Sequence, residues 1–125
     1  MAVATKEYSA QITDMLARAR AAQEQVAEWT QEQIDEAVAA AGWAVYQEEH
    51  AVACARLASE ETGMGVYEHK LIKHRKKILG TLRDLQEVRS CGVIEEIPEK
   101  GLLKIAKPAG VVGALIPVTN PTSSV

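Results

Sequence analysis

The residue whose type and setting best suit chemistry is Asn120, the chain's one asparagine, in Pro117-Val118-Thr119-Asn120-Pro121. Proline fixes its own φ, so the two prolines stiffen the loop between them and hold the side-chain amide with little freedom. The two N–H donors of that amide suit stabilisation of a developing oxyanion in acyl transfer. The same setting also suits a plain turn. Other candidates form no constellation. His50, His69 and His74 lack the i, i+4 spacing that puts two imidazoles on one helix face, and are expected at the surface or at partner contacts. Cys54 and Cys91 lie far apart and outside any metal or redox motif, so they read as small hydrophobes rather than nucleophiles. No metal site is expected. Gly110-Val111-Val112-Gly113 lies inside an apolar run and lacks the Gly-x-Gly-x-x-Gly spacing, so it is not read as a phosphate cradle.

The elements that must position Asn120 follow from periodicity. Ile12, Met15, Leu16, Ala19, Ala22, Val26 and Trp29 recur at three- and four-residue steps, the period of one helix face. Thr30 with Gln33 three residues on is a capping-box pattern that opens a second helix through Ile34, Ala37, Val38, Ala41 and Val45. Gly42 is expected to mark a break between two pieces, and Val52, Ala55, Ala58 and Thr62 resume the pattern. Gly63 and Gly65 supply the positive-φ positions that end helices, and a further helix is expected from about Tyr67 to Val88. The period changes after Cys91. Val93-Ile94 and Leu102-Leu103-Lys104-Ile105, separated by Pro98 to Gly101, read as a β hairpin. Ala109 to Ile116 is an unbroken apolar run of strand length, the pattern of a parallel strand covered on both faces. The site loop leaves the carboxyl end of that run, where ligands bind in open α/β sheets. Thr122, Ser123 and Ser124 are N-cap candidates for a following helix. The organisation expected is a helical segment at 1–90, a hairpin arm at 91–107, and the start of a further domain at 108–125.

Composition narrows the class. With 125 residues, 47% hydrophobic and 25% charged, the chain has a soluble domain's composition, but 4% aromatics and no Phe leave a thin core of small side chains. A net charge of -3 argues for neither a nucleic-acid nor a membrane partner. Residues 1–65 carry net -7 and residues 66–125 net +4, with the bases gathered at Lys70, Lys73, Arg75, Lys76 and Lys77. That cluster reads as a solvated helix face answering acidic helices. The first residues form neither a signal peptide nor a spanning segment, and a cytoplasmic location is expected.

The run Lys107-Pro108-Ala109-Gly110-Val111-Val112-Gly113 followed by Ile116-Pro117-Val118-Thr119-Asn120-Pro121-Thr122-Ser123 resembles the CoA-acylating aldehyde dehydrogenases. Trp29 to Asp35, Glu61 to Lys70, and Cys91-Gly92-Val93 extend the resemblance over most of the chain. It implies an α/β fold in which helices and a β hairpin precede the first strand of a Rossmann-like cofactor domain. It implies an oxidoreductase that oxidises a short aldehyde with NAD and passes the acyl group to coenzyme A, and that is a homo-oligomer. In such enzymes Ile116, Pro117, Val118, Thr119 and Asn120 would border the nicotinamide, with Asn120 contributing to the oxyanion hole. Neither Cys54 nor Cys91 matches the family's nucleophile, which belongs to a later segment. The chain is therefore expected to be a truncated, N-terminal portion, inactive by itself. The alternative is a non-catalytic helical module that supports oligomerisation.

Overall fold

In the computed structural model, which describes residues 2–117 and Thr119, with side chains from Tyr8 onward, the helices are α1 (Ala2–Val26), α2 (Gln31–Tyr46), α3 (Glu48–Thr62) and α4 (Tyr67–Leu85). They are followed by β1 (Gly92–Ile97), a 3-10 turn at Pro98–Lys100, and β2 (Leu102–Ala106). Two compact units emerge, one of Met1–Gln31 with Arg89–Gly113 and one of Glu32–Val88 with Ala114–Val125.

In the second unit α3 packs against α4. Its buried residues are Ala51, Ala55, Ala58, His74 and Ile78. The three alanines recur at four- and three-residue steps, giving α3 a flat ridge against which a neighbouring helix can lie closely. This is the thin, small-residue core expected from the composition. α3 ends at Gly63, in the left-handed region at φ 60, with its N–H donated to the Ser59 carbonyl at 3.0 Å. The Thr62 hydroxyl donates to the Ala58 carbonyl and accepts from Met64 N–H at 3.1 Å, so the Gly63-Met64-Gly65 segment is a built helix stop. Gly42 is not a break. α2 runs through it to Tyr46, and a Cβ there would lie 2.7 Å from both Leu82 methyl carbons, so the glycine serves a close approach to α4. The break falls at Gln47 instead, where φ -50 and ψ 145 leave the helical region. Glu48 and Glu49 then occupy the first turn of α3, where carboxylates suit the positive end of the helix dipole.

In the first unit β1 and β2 pair antiparallel, Val93 opposite Ile105 and Ile97 opposite Leu102, with a bulge between Val93 and Glu95. Gly101, at φ 61, closes the turn that Pro98 opens. Gln31 fastens the start of β1: its Oε1 accepts from Ser90 N–H at 2.7 Å and Cys91 N–H at 3.2 Å. The strand expected over Ala109–Ile116 is a correction. Residues 107–117 have no regular structure, and Val112 is 75% exposed. A strand exists only as one side of a hydrogen-bonded ladder, and the described residues supply this run no neighbour, whatever its apolarity. The architecture present is helices with one two-stranded antiparallel sheet.

Candidate functional site

The loop singled out from the sequence begins at Ile116, which is half-exposed, and continues through exposed Pro117 and Thr119. Val118 and Asn120 lie outside the described residues. One described contact to the loop comes from α4. Lys73 Nζ donates to the Thr119 carbonyl at 3.0 Å across 46 residues of sequence. Lys73 stands beside His74, whose ring is 1% exposed and whose Nε2–H donates to the Val45 carbonyl at 2.8 Å. This pins that turn of α4 to the end of α2. Nδ1 of the same ring is buried without a partner.

His74 is thus a core residue rather than the surface one expected, while His50 and His69 are exposed as expected. The signal is present in the sequence, since Leu71, His74 and Ile78 share one phase of α4. The basic cluster is likewise only partly a solvated face. Lys76 and Lys77 are exposed, but Lys70, Lys73 and Arg75 are half-buried, and Arg75 pairs with Glu48 at the start of α3. Nothing in residue type or spacing separates Lys73 from the lysines around it. Its role comes from where the chain returns, 46 residues later.

Cys54 and Cys91 are free and half-buried, and Cys91 Sγ lies 3.6 Å from Gln31 Oε1. A depression of about 380 Å3 in the first unit is lined by Leu16, Arg20, Gln23, Glu24 and Val111, none of them a candidate catalytic or cofactor-binding residue. Among the described residues no group of three or more His, Cys, Asp or Glu is gathered to hold a metal ion. Among the same residues no helix is long and apolar enough to cross a membrane.

No protein-family model matches the chain. Curated relatives do. A sulfoacetaldehyde dehydrogenase from an Acholeplasma species is 49% identical over 113 residues, which is 90% of this chain and 23% of that protein. A succinate-semialdehyde dehydrogenase (acetylating) from Clostridium kluyveri is 40% identical over 110 residues, 88% of this chain and 24% of that protein. A bifunctional aldehyde-alcohol dehydrogenase from Escherichia coli is 33% identical over 115 residues, 92% of this chain and 13% of that protein. The chain thus spans about a quarter or less of the length of these relatives, and the resemblance to acylating aldehyde dehydrogenases holds over most of it.

Proposed function

We propose that this chain is the N-terminal part of an NAD-dependent, CoA-acylating aldehyde dehydrogenase. The observation that carries the reading is the 49% identity to a sulfoacetaldehyde dehydrogenase over 90% of the chain. The reaction is aldehyde, NAD⁺ and coenzyme A giving acyl-CoA, NADH and a proton. Within it the loop from Ile116 to Asn120 borders the nicotinamide, and the Asn120 amide donates to the oxyanion that forms as sulfur adds to the aldehyde carbonyl. The described residues suit that place: Ile116 and Pro117 offer exposed apolar surface to a flat ring, and Thr119 a hydroxyl able to hydrogen-bond a carboxamide. NAD, when bound, supplies the hydride acceptor. Neither Cys54 nor Cys91 is assigned the nucleophile. The apolar run Ala109–Ile116 has no ladder partner among the described residues; it is read as a strand of a Rossmann-like cofactor domain only in the full-length protein, where further strands would pair with it, a role supported by its composition and by its place before the loop. The working form is read as a homo-oligomer.

The substrate is a short aldehyde, with sulfoacetaldehyde the first to try because a relative of that name shares 49% of its residues with this chain over the matched length. The test uses protein expressed from the complete reading frame that contains this chain. NADH formation is expected when aldehyde and coenzyme A are supplied together with NAD. Failure to form NADH with sulfoacetaldehyde, succinate semialdehyde and acetaldehyde alike overturns the reading.

A further inference from the structure

The hairpin begins from a stretch of chain with no regular structure, and one side chain holds that stretch. Residues 86–91, between the end of α4 and the start of β1, form neither helix nor strand. Within them Ser90 N–H and Cys91 N–H donate to a single acceptor, Gln31 Oε1, at 2.7 and 3.2 Å. Gln31 Nε2 in turn donates to Ser90 Oγ at 3.2 Å, across 59 residues of sequence. All three residues belong to the first compact unit, and Gln31 and Cys91 are half-buried. Arg89 adds a second hold, its Nη1 donating to the Val93 carbonyl at 3.2 Å, beside the bulge in β1. Two successive N–H groups converge on one oxygen only where the backbone turns to form a concavity, so an acceptor fixed there sets the direction in which the chain leaves it.

We propose that Gln31 is a positioning residue for the hairpin: its amide oxygen fills the concavity of Ser90 and Cys91 N–H groups and aims the exposed face of Val93, Leu103 and Ile105 at a second copy of the chain. The proposal rests on the homo-oligomeric reading. The hairpin itself favours that occupant. Two strands alone are marginal in water, both edges of this sheet are open, and its apolar face is exposed. A second copy brings strands of the same register and the same apolar face, and so supplies both the ladder partner and the cover. Association of a face already aimed costs less ordering than association of one that samples several directions. Gln31→Leu keeps the bulk but removes the acceptor, and the two freed N–H groups turn to water. Gln31→Glu keeps an acceptor, and a carboxylate suits a concavity of N–H groups.

The test uses the protein of the complete reading frame. Amide hydrogen exchange at Ser90 and Cys91 reads the contact, and a dilution series followed by light scattering reads self-association. Leu103→Glu tests the hairpin face alone and is expected to shift the mass toward that of a monomer. Gln31→Leu is expected to speed exchange at both amides about 10-fold and to weaken self-association about 10-fold, the scale of two lost hydrogen bonds. Gln31→Glu is expected to stay within about threefold of the parent in both readouts. Unchanged exchange in α3 marks the loss as local; where Gln31→Leu fails to fold, Gln31→Asn, one methylene too short to reach, is read in its place. If Leu103→Glu dissociates the protein but Gln31→Leu leaves exchange or self-association unchanged, the role of Gln31 is wrong and the homo-oligomeric reading stands. A loss that Gln31→Glu does not recover also overturns the role of Gln31. A Leu103→Glu variant of parent mass overturns the second copy as occupant of this face, and a parent that is monomeric at every concentration overturns the homo-oligomeric reading itself.

Discussion

Two helical glycines behave in opposite ways. Gly80 in α4 has nothing within 4 Å of where a Cβ would stand, while all three outer carbons of Leu82 crowd that position at Gly42. Gly80→Ala is expected to stabilise the chain by about 0.5–1 kcal/mol, since it removes backbone entropy at no steric cost. Gly42→Ala gains the same propensity but forces the Leu82 side chain to swing as a whole, and a net loss of about 1 kcal/mol is expected. Urea unfolding of the two variants checks this; equal stabilisation by both would remove the close approach as the reason for Gly42. Other residues are less legible. Gly42 reads as a helix breaker because local sequence carries no record of Leu82, 40 residues further on. His74 is legible in phase but not in type, since a polar ring is buried only where a carbonyl such as that of Val45 is there to meet it.

Among the elements, periodicity finds four helical stretches and the hairpin, and it misses the break at Gln47, which no glycine or proline announces. The α3–α4 pair rests on the alanine ridge. Ala55 is 1% exposed, so Ala55→Leu has no room for its added carbons without parting the helices. A loss of about 1–3 kcal/mol is expected, read as a lower denaturation midpoint and a weaker helical signal. An unchanged midpoint would mean that the ridge is not closely packed. The hairpin is legible because its turn chemistry is local: Pro98 opens the 3-10 turn and Gly101 takes the positive φ that closes it. The run 109–116 is legible as apolar but not as a formed strand, because ladder partners are not a local property.

Across the molecule as a whole, the hairpin leaves Val93, Leu103 and Ile105 exposed. Leu103 and Ile105 are two residues apart on β2, and Ile105 pairs with Val93, so the three share one sheet face. An exposed apolar face beside open strand edges favours association, which supports the homo-oligomeric reading. Leu103→Glu is expected to lower the mass seen by light scattering toward that of a monomer while leaving the helical signal unchanged. A variant that keeps the parent mass would remove this face as an oligomer contact. The oxyanion role proposed for Asn120 rests on resemblance to an enzyme family and on the donor chemistry of its residue type.

Residue order alone is enough for the helical stretches, the hairpin with its turn, the small-residue core and the resemblance to acylating aldehyde dehydrogenases, because each is written in nearest neighbours, in a short period, or in a run of identities. Three features needed the folded chain: that Gly42 admits Leu82, that His74 is buried against Val45, and that one lysine of a basic cluster holds the Thr119 carbonyl. Each of these depends on residues distant in sequence meeting in space. A side chain's role there is set by what the returning chain brings to it, not by its own type.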